Sequence, residues 1–284
     1  MSSSLRATVR AIAYLLLTLP IMPLQLLAVS CGWRLAATKV PRLYHRWCCW
    51  LLGVTVAVRG APAGAKPTLY VVNHQSYLDI PVLSAVVEVS FVAKREVASW
   101  PFFGWLAKLQ RTVFVERRAT SIPGERDELT RRLAAGDNIV LFPEGTSDDG
   151  TRLRPFKSAF FSAAEILVND QPLVVQPVTI AYTRLDELPL GRQWRPFVAW
   201  YGDMDILSHI WELIGLGRIT VEVIFHPPAT IMELGSRKAL ASHCERLVAQ
   251  GLAAAYAGRW PAEVAPAAPA VPAGPPPATS PGLA

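Results

Sequence analysis

From residue 68 to about residue 230, short apolar runs alternate with segments of helical periodicity, and this pattern dominates the chain. The runs are rich in β-branched and aromatic residues, which is typical of buried strands. Strands that alternate with helices form a sheet with helices packed on its faces. The sequence therefore predicts an α/β fold with a mixed, mostly parallel sheet flanked by helices. We place its strands at residues 68–72, 90–93, 112–115, 138–142, 173–181, 197–201 and 219–225. A separate strand is predicted at residues 54–58, before the loop that leads into this region.

Helices are predicted between these strands and at the end of the folded region. One begins at Asp79, a good N-cap residue that is followed by Pro81 in the first turn. Residues 121–135 combine an apolar stripe with a charged, solvated side, and residues 235–258 form the last helix. The short apolar piece Trp211–Leu216 is predicted to be core, with lipid contact as the alternative.

The N-terminal region carries the most apolar stretch of the chain. Residues 11–30 contain no charge and are just long enough to span a bilayer, but Pro20 and Pro23 interrupt them and basic residues flank them on both sides. A spanning segment would place one basic group on the far side, against the positive-inside bias. We therefore predict a membrane-associated helix pair that lies in one leaflet, whose second helix, 41–53, carries interfacial aromatic residues.

A cleaved signal peptide is the alternative to this in-plane anchor, because a basic residue followed by an apolar run imitates one. No convincing small-residue cleavage site follows the run. Residues 28–31 resemble a lipoprotein cleavage box but lack the aliphatic residue expected three positions before Cys31. The in-plane anchor is therefore the favoured interpretation.

The composition of the chain also indicates association with a membrane surface. Of the 284 residues 51% are hydrophobic, the net charge is +6, and no acidic residue occurs up to Leu78. A basic and apolar start indicates an anionic partner, and its long uncharged run favours phospholipid over nucleic acid. The four cysteines form neither a metal-ligand spacing nor a disulfide framework, which favours the reducing, cytoplasmic side of the membrane.

Three regions follow from these patterns. Residues 1–59 form the N-terminal membrane-anchoring helices, and residues 60–260 form the α/β domain. Residues 261–284 are rich in alanine and proline and have little apolar surface to bury, so we predict a disordered tail.

The stretch between the strand at 68–72 and the next helix carries a candidate catalytic pair. His74 and Asp79 lie five residues apart on a turn that can fold the carboxylate back onto the imidazole. The carboxylate would fix the tautomer and leave the other ring nitrogen free as a base. Such a pair without a serine partner suits removal of a proton from a substrate hydroxyl. The alternative is that His74 is a cap or a packed polar group.

Further candidate residues stand where other predicted strands end. Glu144 and Gly145 follow the strand at 138–142, Arg117 follows the strand at 112–115, and a fourth buried strand ends at Pro177. Ligands bind past the carboxyl ends of strands in open α/β sheets, and glycine lets backbone amides approach an anion closely. Lys157 is another candidate contact for an anion.

Four ordered blocks carry a resemblance to a known family. They are Asn73-His74-x-x-x-x-Asp79, Phe114-x-x-Arg117, Phe142-Pro143-Glu144-Gly145-Thr146 and Val175-x-Pro177-Val178. Together they resemble the glycerolipid acyltransferases, a family that includes the 1-acylglycerol-3-phosphate acyltransferases.

The resemblance implies a role for each matched position. His74 and Asp79 are the expected catalytic pair. Arg117, Glu144 and Gly145, with Thr146 and Lys157 beside them, are expected to bind the acceptor, and Pro177 to shape its pocket.

The resemblance also implies the reaction, its substrates and its location. We expect transfer of a fatty acyl chain to 1-acylglycerol-3-phosphate, which gives phosphatidic acid, at the cytoplasmic face of a bacterial inner membrane. The acyl donor would be an acyl-carrier-protein or coenzyme A thioester, which is a co-substrate, and no cofactor or metal is expected.

Two departures from the family pattern affect the acceptor. The third block commonly continues with Arg-Ser, whereas here Ser147-Asp148-Asp149 follows Thr146, and two acids suit a zwitterionic or amine-bearing head group better than a phosphate. This ending also resembles the bacterial branch that acylates lyso-ornithine lipid, which is therefore the alternative acceptor. Arg111 stands where the second block often has glycine.

Two other functions would each explain part of the sequence. A serine hydrolase would use Ser76 or Ser147 with His74, but the chain contains no G-x-S-x-G motif. A non-catalytic lipid-binding protein would explain the basic, apolar start but not the four blocks at strand ends.

Overall fold

The computed structural model describes residues 2–65, 67–115 and 123–259, and the predicted tail lies outside them. Eight of the described strands form one sheet in the order β1-β10-β8-β2-β5-β3-β4, with β9 paired to β8, and β6 and β7 form a separate pair. The strands are β1 (Val54–Arg59), β2 (Thr68–Val72), β3 (Ser90–Lys94), β4 (Val113–Val115), β5 (Ile139–Leu141), β6 (Leu167–Val168), β7 (Gln171–Pro172), β8 (Val174–Leu185), β9 (Leu188–Pro189) and β10 (Ile219–Phe225).

The sheet is mixed and mostly parallel, as predicted. β8, β2, β5, β3 and β4 run parallel to their neighbours in turn, while β10 is antiparallel to β8 and parallel to β1. β1 belongs to this sheet although it falls within the region 1–59 that was assigned to the anchor.

Helices cover both faces of the sheet. α1, α2, α3 and α6 supply the apolar side chains on one face, whereas α5, α7, α8 and the 3-10 helix at Ser158–Glu165 cover the other. Two further 3-10 helices lie at Arg95–Ser99 and Arg195–Phe197. The α-helices are α1 (Ser4–Ser30), α2 (Arg34–Leu52), α3 (Asp79–Val86), α4 (Phe103–Leu109), α5 (Pro123–Ala134), α6 (Ile206–Ile214), α7 (Ile231–Leu234) and α8 (Arg237–Ala257).

The predicted N-terminal helix pair is present, but the two prolines do not interrupt its first helix. α1 continues as one helix through Pro20 and Pro23, because packing against α2, α4 and α6 stabilises it. Among the described helices, α1 is long and apolar enough to cross a membrane, and only 17% of its most apolar window is buried inside the protein.

β8 continues to Leu185, so the predicted end of a buried strand at Pro177 is wrong, and the strand predicted at 173–181 also ends too early. Pro177 O accepts a hydrogen bond from His226 N at 3.0 Å, and in an antiparallel pair an amide at 177 would donate to His226 O in return. Proline has no such donor, and Gln176 Nε2 donates to His226 O instead at 2.9 Å. The side-chain amide thus replaces the missing backbone bond, and the strand passes through the proline.

Residues 197–201 were predicted as a strand and are not one. Phe197 ends the short 3-10 helix, and Trp200 N donates to Gln75 O at 2.9 Å. The segment therefore uses its apolar side chains to pack against the loop after β2 rather than to join the sheet.

Candidate active site

The loop between β2 and α3 brings His74 and Asp79 together. His74 Nδ1 lies 2.8 Å from Asp79 Oδ2, and Asp79 is completely buried. Because a carboxylate oxygen accepts, Nδ1 carries the proton and Nε2 keeps a free lone pair. The imidazole is partly exposed and stacks on the ring of Phe142, with centroids 4.1 Å apart. The geometry is that of an oriented general base.

Asp79 is held by more donors than the sequence suggested. It was predicted to be the N-cap of α3, but it is the first helical residue and its carboxylate points back into the preceding loop. Its Oδ2 accepts from Gln75 N at 2.8 Å and Ser76 N at 3.0 Å, and its Oδ1 accepts from the Tyr182 hydroxyl at 2.6 Å. Four donors, including His74, therefore fix this carboxylate.

Tyr182 was missed by the sequence analysis. Burial and the neighbouring Asp79 charge raise the pKa of its hydroxyl well above the usual value, so it stays protonated and donates. It belongs to β8 and lies 103 positions after Asp79. No local motif connects the two residues, and only the pairing of β8 with β2 brings them together.

Glu144 links two loops of the site. Its Oε1 accepts from His74 N at 2.7 Å and its Oε2 accepts from Arg154 N at 3.0 Å. It is only 3% exposed, and burial raises the pKa of its carboxyl to about 7. Glu144 was expected to bind the acceptor, but in this structure both of its oxygens are bonded to backbone amides.

Gly145 and Lys157 lie together. Gly145 has a φ of +75°, and a Cβ at this position would lie 3.0 Å from Lys157 Nζ. The exposed ammonium therefore sits directly over the glycine, with Thr146 partly exposed beside it. These three predicted binding residues form one surface next to Glu144.

Of the other two predicted binding residues, only Pro177 is described by the structure, and it is not part of this surface. Pro177 is buried within the sheet in register with Val71, and Arg117 lies outside the described residues. Arg111, in the same block as Arg117, has a φ of +60°, which glycine adopts without strain. Its guanidinium donates to Asp137 at 2.6 Å, a contact that glycine would lack.

The acidic ending of the third block lies beside the catalytic pair. Asp148 N donates to His74 O at 3.2 Å, and Asp148 Oδ2 lies 3.6 Å from Arg154 Nε. Both side chains are partly exposed. Asp149 Oδ1 accepts from Thr151 N at 2.8 Å, which fixes the turn. The loop therefore presents a carboxylate and a guanidinium together near His74.

Further side chains fasten these loops to the rest of the domain. The Asn73 side chain bonds both Ile180 N and Ile180 O, at 2.9 Å each. The Tyr256 hydroxyl, on α8, donates to Gly150 O at 2.6 Å and lies 3.3 Å from Gln75 Oε1. The Arg195 guanidinium lies 3.4 Å from the centroid of the Tyr256 ring.

Comparison with known proteins places the chain among acyltransferases. The profile of the acyltransferase family matches residues 46–181. Lyso-ornithine lipid O-acyltransferase of Brucella abortus is 41% identical over 265 residues, covering 91% of this chain and 98% of that protein. The enzyme of the same name from Rhizobium meliloti is 43% identical, covering 74% and 73% of the two chains.

More distant relatives carry the name of the first predicted activity. A 1-acyl-sn-glycerol-3-phosphate acyltransferase of Neisseria gonorrhoeae is 32% identical, covering 67% of this chain and 71% of that protein. The crystal structure of the 1-acyl-sn-glycerophosphate acyltransferase PlsC from Thermotoga maritima shares the fold. Its TM-score is 0.57 at 23% identity, and the match covers 89% of this chain and 99% of that one.

These findings confirm the resemblance read from the four blocks. The relatives of higher identity carry the name of the alternative acceptor, lyso-ornithine lipid, rather than that of 1-acylglycerol-3-phosphate. The reaction class is common to both groups. The chain therefore belongs to the acyltransferase family and is an O-acyltransferase.

Proposed function

We propose that this protein transfers a fatty acyl chain from a thioester to the free hydroxyl of lyso-ornithine lipid. The observation that carries the proposal is the His74–Asp79 pair, held at 2.8 Å, next to the loop of Asp148 and Arg154. Ornithine lipid head groups carry an ammonium and a carboxylate, whereas lysophosphatidate carries only a phosphate. A carboxylate and a guanidinium side by side complement the zwitterion, and Asp148 would repel a phosphate.

The chemistry is direct transfer. His74 Nε2 takes the proton from the acceptor hydroxyl while its oxygen attacks the thioester carbonyl carbon. The new ester C–O bond forms, the C–S bond breaks, and the thiolate takes the proton back from the imidazolium. Asp79 stabilises the imidazolium between these steps. General base catalysis supplies about 10²–10⁴-fold, so positioning of the two substrates must supply the rest.

The remaining predicted residues have binding or positioning roles in this proposal. Lys157, over Gly145, contacts an anionic group of the acceptor or donor, and Glu144 keeps His74 and the 148–154 loop in register. Arg117 stays a predicted head-group contact. The donor is an acyl-carrier-protein or coenzyme A thioester, because both are acidic and the protein is basic.

The proposed location is the cytoplasmic face of the bacterial inner membrane. The exposed apolar surface of α1 supports membrane association, and the lysolipid acceptor resides in the same leaflet. We propose that α1 and α2 lie in that leaflet rather than cross it.

The test is a transfer assay with two acceptors. Proteoliposomes with the full-length protein receive labelled acyl thioester and either lyso-ornithine lipid or 1-acylglycerol-3-phosphate. We expect product from lyso-ornithine lipid, none with His74→Ala, and wild-type rates with the control His243→Ala on the outer side of α8.

Each other outcome contradicts a stated part of the proposal. Product from 1-acylglycerol-3-phosphate alone would establish the acceptor that PlsC is named for and overturn the head-group assignment. Product from both would mean that the site does not select. Lipid binding without transfer to either acceptor would indicate the non-catalytic lipid-binding function.

A further inference from the structure

α6 has two sides of different character. His209 and Leu213 face the protein and are buried, whereas Leu207 and Trp211, one turn apart, lie on the outer side with 66% and 44% of their surface exposed. Trp194, Phe197 and Met204 precede the helix and are exposed as well. We call Trp194, Phe197, Met204, Leu207 and Trp211 the α6 surface. An apolar surface of this kind, rich in tryptophan, is typical of contact with a partner or a membrane.

The α6 surface borders the membrane helix. The first turns of α1 are bonded to the C-terminal end of α6 through Ser3 N to Gly215 O at 2.9 Å and Arg10 Nη1 to Ile214 O at 3.0 Å. From this junction α1 continues with exposed apolar residues at helical spacing: Leu5, Val9, Ile12, Leu16 and Leu19. The two helices therefore meet at this junction, and each carries exposed apolar side chains.

The charged residues near the α6 surface do not give it a strong net charge. The exposed bases nearby, Arg6, Arg192 and Arg218, are matched by the exposed acids Asp203, Asp205 and Glu212. Attraction to anionic lipids is therefore weak here, and burial of apolar side chains supplies the binding energy.

The inner side of α6 is bonded to the catalytic loop. The Tyr77 hydroxyl lies 2.9 Å from His209 Nδ1, and Tyr77 also packs against Trp200, whose backbone amide donates to Gln75 O. Tyr77 and Gln75 belong to the same loop as His74. The helix therefore lies between the outer surface and this loop.

We propose that the α6 surface enters the same phospholipid leaflet as α1 and forms a second membrane contact. Two contacts on either side of their junction fix the orientation of the domain on the bilayer. With α6 in the leaflet, the loop of His74 lies at the lipid surface, where a lysolipid hydroxyl is within reach. The anchor alone would leave the domain free to tilt.

A fluorescent label at position 207 tests this contact directly. The full-length Cys31→Ser protein, in which the three remaining cysteines are buried, receives Leu207→Cys and an NBD label, and is reconstituted into phosphatidylethanolamine–phosphatidylglycerol vesicles. The matched control is Met232→Cys on α7, which is equally exposed but lies on the other face of the sheet. We expect a blue shift and quenching by doxyl-labelled lipids at 207, unchanged by added salt, and neither effect at 232.

Equal emission from both labels in vesicles would overturn the proposal. So would a signal at 207 that salt abolishes, because that result would indicate headgroup adsorption without insertion. The readout requires neither acceptor nor thioester, so it is independent of the proposed reaction.

A second measurement links the contact to turnover. The double variant Leu207→Ser/Trp211→Ser is expected to raise KM for lysolipid presented in vesicles and to leave kcat unchanged. The control pair, Leu167→Ser/Met232→Ser, removes two equally exposed apolar side chains on the other face. Equal KM values for the two double variants would count against the contact.

Discussion

The charge of Asp79 can be removed with little change in its shape, which isolates its electrostatic role. In the Asp79→Asn variant the amide oxygen can keep the bonds from Gln75 N, Ser76 N and His74 Nδ1. The new NH₂ group then faces Tyr182, whose hydroxyl oxygen accepts instead of donating. The contact between the two side chains is kept although the Tyr182 proton loses its acceptor, and the main change is the loss of the negative charge beside the imidazole.

The expected loss in rate follows from the geometry. His74 becomes an imidazolium during the reaction, and Asp79 Oδ2 lies 2.8 Å from its Nδ1. A charge-assisted hydrogen bond contributes about 1.5–3 kcal/mol, and two unit charges about 4 Å apart attract by about 4 kcal/mol at an effective dielectric constant of about 20. A loss of about 2–4 kcal/mol in the transition state corresponds to a decrease in kcat of roughly 30- to 1000-fold.

The assay is acyl transfer at saturating substrates, with thermal unfolding measured in parallel. KM for the acceptor should stay near the wild-type value, because Asp79 is buried and does not reach substrate. The control Asp170→Asn makes the same chemical change in the exposed β6–β7 turn and should leave kcat unchanged.

Tyr182→Phe provides an intermediate step, because it removes one of the four donors to Asp79 but keeps the charge. The expected loss of transition-state stabilisation is about 0.5–1.5 kcal/mol, which lowers kcat roughly 2- to 13-fold.

One result for Asp79→Asn would refute the mechanism. If the folded variant retains kcat within about threefold of wild type, His74 does not pass through a charged state stabilised by this carboxylate.

Three further predictions concern stability and the rival function. Burial raises the pKa of Glu144 from 4.5 to about 7, so its contribution to the free energy of unfolding is greatest below pH 4.5 and falls by roughly 3 kcal/mol as pH rises to 7. In detergent, the Glu144→Gln variant should therefore lose less stability than wild type between pH 5 and pH 8, as measured by thermal unfolding. Equal losses for the two proteins would contradict the raised pKa of Glu144. Gln176→Ala should destabilise by about 2–4 kcal/mol, because it leaves Ala63 N, Ala61 O and His226 O without their partner, whereas Pro177→Ala should be nearly neutral in the same unfolding measurement. Ser76→Ala and Ser147→Ala should retain transfer activity within about threefold, because neither hydroxyl is a nucleophile in direct transfer, and loss of activity in either one would revive the hydrolase.

Local patterns were enough to predict that His74 and Asp79 lie together. His74 and Asp79 lie on one short turn, and five residues can bring an imidazole and a carboxylate into contact without help from distant parts of the chain. The strands at 68–72 and 219–225 were predicted for the same reason, since alternation and β-branching are local properties.

Features set by tertiary packing were not predictable in this way. The orientation of Glu144 depends on two backbone amides from separate loops, and the bond from Tyr182 depends on the register of β8. Proline lacks a backbone N–H, so Pro177 alone would be expected to end the strand. The side-chain amide of Gln176 supplies the missing donor, and the strand continues. Residues 197–201 have the side chains of a strand, but their backbone bonds to the catalytic loop.

The bonds from Tyr256 have a consequence for when this enzyme becomes active during synthesis. The ribosome makes His74 and Asp79 first, whereas the tyrosine that contacts both Gln75 and Gly150 comes 181 residues after Gln75. Until α8 docks, these two loops are joined through Glu144 but lack the additional support of Tyr256. We therefore expect a nascent chain to become competent for acylation only after α8 has been made and has docked onto these loops.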